Sequence, residues 1–478
     1  MEESWATSGV DLHLELRRSS GRRTGLELAI RAAVGDGRLL AGTRLPSTRA
    51  LAGQLRLSRG TVSAAYDQLV AEGYLVSRRG AGTEIADVAR PPGPPTWSRR
   101  EPPVPRHDLR PGRPDVASFP TRAWLRASRR ALTQAPASVF DYGDPRGRIE
   151  LRQALAGYLG RTRGVRAVPE QIVLTSGSVQ GLALLARTLC RSGPAVVAME
   201  DPNLPFHREV VRQAGATVIG LAVDDRGVCP DRLAAQLAAT VAAVVVTPAH
   251  QYPTGATLHP VRRHALIRWA RRTQGLIIED DYDGEFRYDR QPIAALQGMA
   301  PECVAYLGTA SKTLGPAVRL GWMVLPPQLV DAVVDTKLHS DHQSDAIGQL
   351  TLADLLTTYG YDRHVRACRL RYRRRRDLLH HRLGPASPLG AAGFRLTGIA
   401  AGLHALLSLP GAETEREVRR RTEARGLAVG GLSEHWHGAS SGPEGIIIGF
   451  ATPSEPAYSA ALEALASALP APAGAVRE

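Results

Sequence analysis

Lysine is nearly absent from this chain of 478 residues: Lys312 and Lys337 stand against 58 arginines. A bias that deep is most simply a drift in coding, so no single arginine run carries an argument. Each lysine does, because arginine replaces lysine as a surface charge but not where a primary amine must lose its proton. Cysteine is scarce as well. Cys190, Cys229, Cys303 and Cys368 are widely spaced and make no C-x-x-C pair, which argues against a disulfide frame or a zinc site and fits a reduced cytoplasm. Long apolar runs are missing too. The one around Val241–Val246 falls far short of the ~20 residues of a membrane helix. The opening Met1-Glu2-Glu3-Ser4 is acidic and leads into no apolar segment, so no secretory signal is expected.

What is present is a globular composition, 43% hydrophobic and 22% charged, able to build a sizeable core. The length suggests about three domains of roughly 150 residues each. The net charge of +14 suggests a polyanionic partner without identifying it. One composition shift is sharp: seven prolines fall between Asp87 and His107. Proline at that density blocks helix and sheet and leaves an extended, semi-rigid spacer. The expected organisation is a small domain over residues 1–87, a linker over 88–107 and a large unit over 108–478. The basic excess is denser at the front, where residues 1–107 hold 16 arginines and 11 acidic residues.

The small domain reads as three helices and a hairpin. An apolar stripe covers Leu26–Val34. Ser47 is placed to N-cap a helix through Leu55, and Ser58 to N-cap another running to Glu72. Only Arg56 and Leu57 separate the second helix from the third cap, a turn short enough for a helix-turn-helix. Alternation in Tyr74–Arg78, a glycine-rich tip and Thr83–Ala86 predict a wing. The third helix opens with Ser58, Arg59, Gly60, Thr61 and Ser63, short donors and one arginine suited to a major groove. The bland alternative is a small helical domain with a solvated arginine face. The runs GTRLPSTRALA (42–52), LSRGTVSAAYDQL (57–69), EGYL (72–75) and GAGT (80–83) resemble a GntR-type DNA-binding domain. That resemblance implies DNA contacts by Arg44, Arg49, Ser58, Arg59, Thr61, Ser63, Arg79 and Gly80.

Beyond Asp108, apolar β-branched runs alternate with amphipathic helices, which predicts an α/β fold with a mostly parallel sheet. Four pieces at strand ends carry chemistry. Thr175–Gly181 (TSGSVQG) follows a strand and opens a helix, whose N-terminus favours an anion. Glu279-Asp280-Asp281-Tyr282-Asp283 crowds carboxylates that repel unless a cation joins them; a metal-like loop or a solvated turn are the alternatives. Gly308–Leu314 holds Lys312, and Arg319 lies a short way on. A buried lysine amine is able to form a Schiff base. Pyridoxal 5'-phosphate uses all four features: an amine for the aldehyde, a carboxylate for the ring nitrogen, a phenol for the ring oxygen and a phosphate cradle.

The phrases TPAHQYPTG (247–255), EDDYDGEFRY (279–288), SKTLGPAVRLGW (311–322) and DYGDPRG (141–147) resemble the MocR-type regulators. In that family a GntR-like winged helix-turn-helix is joined by a linker to a fold-type I aminotransferase-like domain. The resemblance implies that Lys312 holds pyridoxal 5'-phosphate, Asp280 pairs with its ring nitrogen and Tyr282 bonds its ring oxygen. Arg319, Ser311, Gly177, Ser178 and Val179 hold the phosphate, with Leu204 and Tyr252 also at the cofactor. Tyr142 reaches the partner subunit's phosphate, which implies a homodimer. Two departures stand out. Leu204 replaces an aromatic residue that stacks on the ring, giving up roughly 0.5–1.5 kcal/mol. Gly445–Phe450 is apolar where relatives place an arginine near Ile447 that forks a carboxylate, leaving Arg395 or Arg425 to approach from elsewhere.

The expectation is therefore a cytoplasmic, dimeric regulator of a double-stranded DNA operator, sensing pyridoxal 5'-phosphate itself as in the PdxR-like branch that controls vitamin B6 synthesis. It is read as a sensor and not as an enzyme, with residual aminotransferase activity left open, and no metal and no membrane association are expected. A regulator responding to an amino acid or amine, a working aminotransferase with a DNA-binding appendage, and a DNA-binding scaffold with an empty enzyme fold are the competing readings. Three minor features complete the picture. Arg371–Arg376 reads as a solvated helix face or a second DNA strip, His435 and His437 as part of a loop, and Lys337 as an ordinary helix surface residue.

Overall fold

The computed structural model describes residues 21–78, 82–87, 104–234, 241–288, 293–438 and 442–470. Two compact units divide the chain, one within 1–102 and one within 103–478. Most of the proline-rich stretch (88–103) and the wing-tip residues Arg79 and Gly80 lie outside the described residues.

The first unit contains α1 (Arg22–Gly35), α2 (Thr48–Leu55), α3 (Arg59–Ala71), β1 (Leu75–Arg78) and β2 (Gly82–Ile85). Leu26, Ile30, Leu51, Val62, Tyr66, Leu69, Leu75 and Ile85 bury together as one core. Both serine caps form: Ser47 Oγ accepts from Ala50 N–H at 3.2 Å and Ser58 Oγ from Thr61 N–H at 3.1 Å. Arg56 turns the chain between α2 and α3 in the left-handed region, φ 50°. Helix α1 begins earlier than its apolar stripe, at Arg22; Gly21 offers no capping side chain, so no cap residue marks that start in the sequence. The hairpin gains a neighbour that alternation does not reveal: Leu45 N–H donates to Thr83 C=O and Ile85 N–H to Thr43 C=O, each at 2.9 Å.

The second unit is built on an eight-stranded sheet whose strands lie, in spatial order, at Ile172–Thr175 (β4), Gly321–Val324 (β11), Val304–Thr309 (β10), Leu276–Asp280 (β9), Val241–Val246 (β8), Val196–Asp201 (β5), Thr217–Asp224 (β6) and Gly227–Val228 (β7). A short β3 (His107–Asp108), α4 (Thr121–Gln134) and α5 (Ile149–Arg163) precede it. Then follow β4 (Ile172–Thr175), α6 (Ser178–Leu189), β5 (Val196–Asp201), α7 (Pro205–Gln213), β6 (Thr217–Asp224), β7 (Gly227–Val228) and β8 (Val241–Val246). The sheet is completed by β9 (Leu276–Asp280), β10 (Val304–Thr309) and β11 (Gly321–Val324). Strands β6, β5, β8, β9 and β10 pair in parallel, while β11 runs antiparallel to both β10 and β4. Neighbours Ile277 and Ile278 enter different cores, one on each face. That is why these strands read as continuous apolar runs instead of alternating ones. A smaller antiparallel sheet of Arg395–Thr397, Ala405–Ser408, Gly445–Ile448 and Gly430–Gly431 follows. Its strands share a core with Phe286, Tyr372, Phe394 and Phe450.

Two sequence expectations are corrected here. Lys337 is not a surface residue: it is fully buried in the helix Val330–Asp341, bonded to Asp341 and Ser344. Nor is Arg371–Arg376 simply a solvated face or a DNA strip. Arg375 is 1% exposed, held by Asp115 at 3.0 Å and Glu455 at 2.9 Å and by the carbonyls of Ala451 and Pro453. The helix Gly360–Leu383 turns that arginine inward, where its guanidinium also lies 5.4 Å from the ring centre of Tyr458. A run of one charge hides such a residue because only every third or fourth side chain of a helix shares a face.

Candidate functional site

Parallel strands end together, and ligands of open α/β sheets bind beyond their carboxyl ends. Here β4, β5, β8, β9 and β10 deliver Gly177, Glu200, Thr247, Asp280 and Lys312 to one cavity of about 440 Å³. Ser178, Val179, Leu204, Tyr252, Tyr282, Ser311 and Arg319 line it as well. Among the expected cofactor residues, Tyr142 alone stays outside: its side chain is 78% exposed, its ring 4.7 Å from that of His342.

The crowded carboxylates after β9 are sorted by their partners. Asp281 takes Arg163 of α5 in a buried pair at 2.6 Å and accepts from the Tyr306 hydroxyl at 2.8 Å. Glu279 accepts the Leu296 and Gln297 N–H groups at 2.8 and 2.9 Å. Asp283 holds His250 Nδ1 at 2.9 Å. The solvated-turn reading therefore does not describe this segment; Asp283, with His250 and His404, forms a buried group whose ligand atoms lie within 4.8 Å of one another. Asp280 differs from its neighbours. Its Oδ1 is buried without a hydrogen-bond partner, and the imidazole Nδ1 of His207 lies 3.7 Å from Oδ2. Burial pushes the Asp280 carboxyl up to about 7, against the pull of the Lys312 ammonium.

Lys312 follows β10 and points Nζ at the Gly112 carbonyl, 2.5 Å away. Burial draws its pKa down, opposed by Asp283 and Asp280, which favours the neutral nucleophilic amine. The same burial, with the Lys312 charge, pushes His207 down to about 4 and so keeps it neutral. The Tyr282 hydroxyl donates to the His250 carbonyl at 3.1 Å and lies 3.2 Å from His250 Nδ1. Behind it His404 Nε2 sits 3.2 Å from the Pro253 carbonyl, fixing a proton on that nitrogen. The Tyr252 hydroxyl is 3.2 Å from His435 Nε2. The pair read as part of a loop thus packs on the cavity wall, His437 Nε2 meeting the Glu200 carbonyl at 3.1 Å.

At the other end α6 opens with no side-chain cap at Gly177, leaving first-turn N–H groups for an anion. Arg319, at φ 54°, donates to the Ser176 carbonyl. A Cβ on Gly177 would come within 3.1 Å of that guanidinium, and Gly177 itself sits at φ 95°, so only glycine suits the position. Ser311 N–H donates to the Thr309 hydroxyl at 3.1 Å.

Neither Arg395 nor Arg425 lines the cavity; Arg425 is exposed and donates to the Arg421 carbonyl at 3.1 Å. Ile447 is fully buried with Leu406 and Leu432. A guanidinium that sequence reasoning missed does line the cavity: Arg113, whose Nη2 lies 3.0 Å from Asp108. His207, His250 and His404 were missed too. His250 lies inside the motif TPAHQYPTG and His207 close to Leu204, both already singled out without a role for the histidine; His404 meets the site through tertiary packing.

In the first unit, Arg44, Arg49 and Arg59 are exposed. Ser58 and Thr61 share a 2.7 Å hydroxyl contact at the start of α3, so part of their bonding capacity goes to the cap. Ser63 is half-buried.

The family model "Bacterial regulatory proteins, gntR family" matches residues 23–85, and "Aminotransferase class I and II" matches residues 108–429. The HTH-type pyridoxine biosynthesis transcriptional regulator PdxR of Corynebacterium glutamicum is 35% identical, over 90% of this chain and 92% of that protein. The probable rhizopine catabolism regulatory protein MocR of Rhizobium meliloti is 34% identical, over 73% of this chain and 74% of its own. The chain belongs to the MocR-type regulators of the GntR family. It is a transcriptional regulator carrying an aminotransferase-like domain of fold type I. An archaeal alanine:glyoxylate aminotransferase structure overlays 77% of this chain and 91% of its own at a TM-score of 0.69, with 26% identity. Among the described residues no helix is long and apolar enough to cross a membrane.

Proposed function

We propose that this MocR-type regulator binds pyridoxal 5'-phosphate in the cavity and reports its concentration to genes of vitamin B6 synthesis. The observation that carries the reading is Asp280: a buried carboxylate with an unpartnered oxygen, in the same cavity as a lysine amine. Left empty, that oxygen is a cost; a protonated ring nitrogen supplies its missing partner. Lys312 would hold the cofactor covalently, Tyr282 its ring oxygen, and Arg319, Ser311 and the first turn of α6 its phosphate. Leu204 and Tyr252 would flank it. When bound, the cofactor supplies an electrophilic carbon and an electron-withdrawing ring.

Two points favour the cofactor itself as effector. The relative at 35% identity is named for pyridoxine biosynthesis, and no guanidinium reaches the cavity from the strand of Ile447. The residues Arg44, Arg49, Ser58, Arg59, Thr61 and Ser63, with Arg79 and Gly80 of the wing tip, would meet an operator of double-stranded DNA. The protein would act in the cytoplasm as a homodimer, Tyr142 of each protomer serving the other's phosphate. One observation favours a second reading: Arg113 at the cavity offers an anchor for an acidic effector such as an amino acid.

The test is a titration of the purified full chain with pyridoxal 5'-phosphate, followed by visible absorbance and by operator binding. Wild type should turn yellow and change its operator affinity, and Lys312→Ala should do neither. A colourless protein indifferent to the cofactor would sink the proposal. Operator affinity that responds only to an added amino acid would favour the Arg113 reading, and enzyme-like turnover of amino donor and keto acceptor would favour an aminotransferase.

A further inference from the structure

Lys337 has no place in the cavity, yet its burial is complete. All three ammonium protons are used: Nζ lies 2.7 and 2.8 Å from the two Asp341 oxygens and 3.1 Å from Ser344 Oγ. Asp341 ends the helix Val330–Asp341, where a carboxylate opposes the negative end of the helix dipole. Lys337, one turn earlier, offsets that. The Asp341 Oδ2 then accepts from Gln180 Nε2 at 2.6 Å, and the Oε1 of the same amide accepts the Ser176 N–H at 2.7 Å. Donor to a carboxylate on one side and acceptor of a backbone N–H on the other, the Gln180 amide has a single workable orientation. The Ser176 carbonyl in turn accepts Arg319.

The chain of contacts continues in the other direction. After Asp341, His342 sits at φ 62°, ψ −62°, with Gln343 N–H donating to the Asp341 carbonyl at 2.7 Å. That is the rare, strained γ-turn, which persists only where its surroundings hold it. They do: Gln343 Oε1 accepts the Gly143 N–H, and the His342 ring meets Tyr142.

We propose that Lys337 is a positioning residue for the phosphate cradle: by fixing Asp341 it holds Gln180, and through Gln180 the Ser176–Gly177 turn and Arg319, and it ties this cradle to the segment bearing Tyr142. The inference rests on the reading that the cavity takes a phosphorylated cofactor. It also accounts for lysine at this position in so arginine-rich a chain. A compact ammonium reaches three oxygens in a sealed site, and a planar guanidinium is too large and directs its protons elsewhere.

The experiment compares pyridoxal 5'-phosphate with pyridoxal, which lacks the phosphate, as ligands of full-length wild type, Lys337→Met and Gln180→Leu. Binding is read by visible absorbance and folding by thermal melting. Both variants should lose about tenfold in affinity for the phosphorylated ligand, the scale of one charge-assisted hydrogen bond. Their affinity for pyridoxal should stay near that of wild type. Gln180 is half-buried, so its variant keeps the test decisive if Lys337→Met fails to fold. Equal losses for both ligands, or an unchanged preference for the phosphorylated one in Gln180→Leu, would overturn the proposal. A wild type that binds pyridoxal 5'-phosphate no better than pyridoxal overturns the cofactor reading first, and this one with it.

Discussion

Asp280 and Lys312 set the charge state of the cavity jointly. In the folded protein without cofactor the Asp280 carboxyl keeps its proton up to about 7, whereas an unfolded chain releases it near ~4. Between those values the folded state binds the extra proton, so stability falls as pH rises from about 4 to about 7 and is level above that, by up to about 4 kcal/mol. Asp280→Asn has nothing to ionise. Without cofactor, its melting temperature should exceed that of wild type by a margin that widens from about pH 5 to about pH 8. A margin independent of pH would mean that Asp280 is not strained in the empty site. Adding pyridoxal 5'-phosphate should reverse the order, because only the charged residue gains a partner from the ring nitrogen. Both residues are legible in the sequence, since each sits in a short motif at the end of an apolar strand. The histidines around them are not. His250 and His404 approach to 4.9 Å between ring centres, but they come from distant parts of the chain, and no local spacing marks that contact.

Helix ends are legible wherever a side chain makes the cap. Ser47 and Ser58 declare the starts of α2 and α3 because each bonds a backbone N–H three residues on. The start of α1 lacks such a signal, and the apolar stripe alone places it too late. Burial along a helix is less legible, as Lys337 and Arg375 show: both are charged and both face inward, Lys337 sealed by Ser344 beyond its helix as well as by Asp341 within it, and Arg375 by Asp115 and Glu455 from other elements. For α3 the capping arrangement leaves Arg59 exposed, and among the described residues no hydrogen bond or ion pair engages it. Arg59→Ala should weaken operator binding by about 1–3 kcal/mol while leaving the melting temperature of the domain unchanged. Titrations by fluorescence anisotropy at several salt concentrations separate the two kinds of contact. A phosphate contact lowers affinity for all sequences and flattens the salt dependence, whereas a base contact relaxes preference at one position. Unaltered binding would remove α3 from the interface.

At the scale of the whole molecule, the site leaves one expected residue, Tyr142, in solvent, beside the exposed Phe140. Two exposed rings on one segment suit a surface that a second copy covers. If Tyr142 of each protomer serves its partner's phosphate, Tyr142→Ala and Lys312→Ala should complement each other. Each variant alone binds cofactor poorly, but a mixed dimer contains one site with an intact lysine and an intact tyrosine. Co-purified mixed dimers should therefore bind one cofactor per dimer with wild-type affinity. If the mixed dimer binds no better than its parents, Tyr142 does not act across the interface. The alternation of apolar runs and helices makes the α/β architecture readable. The antiparallel insertion of β11 between β4 and β10 is not, since strand direction is set by long connections that leave no mark on a strand's own residues.

The burial of Lys337 has a practical and a biological consequence. Aldehydes condense with free amines wherever they find them, and a protein with many surface lysines collects such adducts at random. This chain has two lysines in total, and one is sealed from solvent. Lys312 is thus the single side-chain amine open to an aldehyde. On the proposed function, a regulator that takes up an aldehyde at this one amine would have almost no background: the stoichiometry of the reaction and the state of the sensor would be nearly the same quantity. Its arginine-rich surface keeps the positive charge that DNA attracts without offering a competing nucleophile.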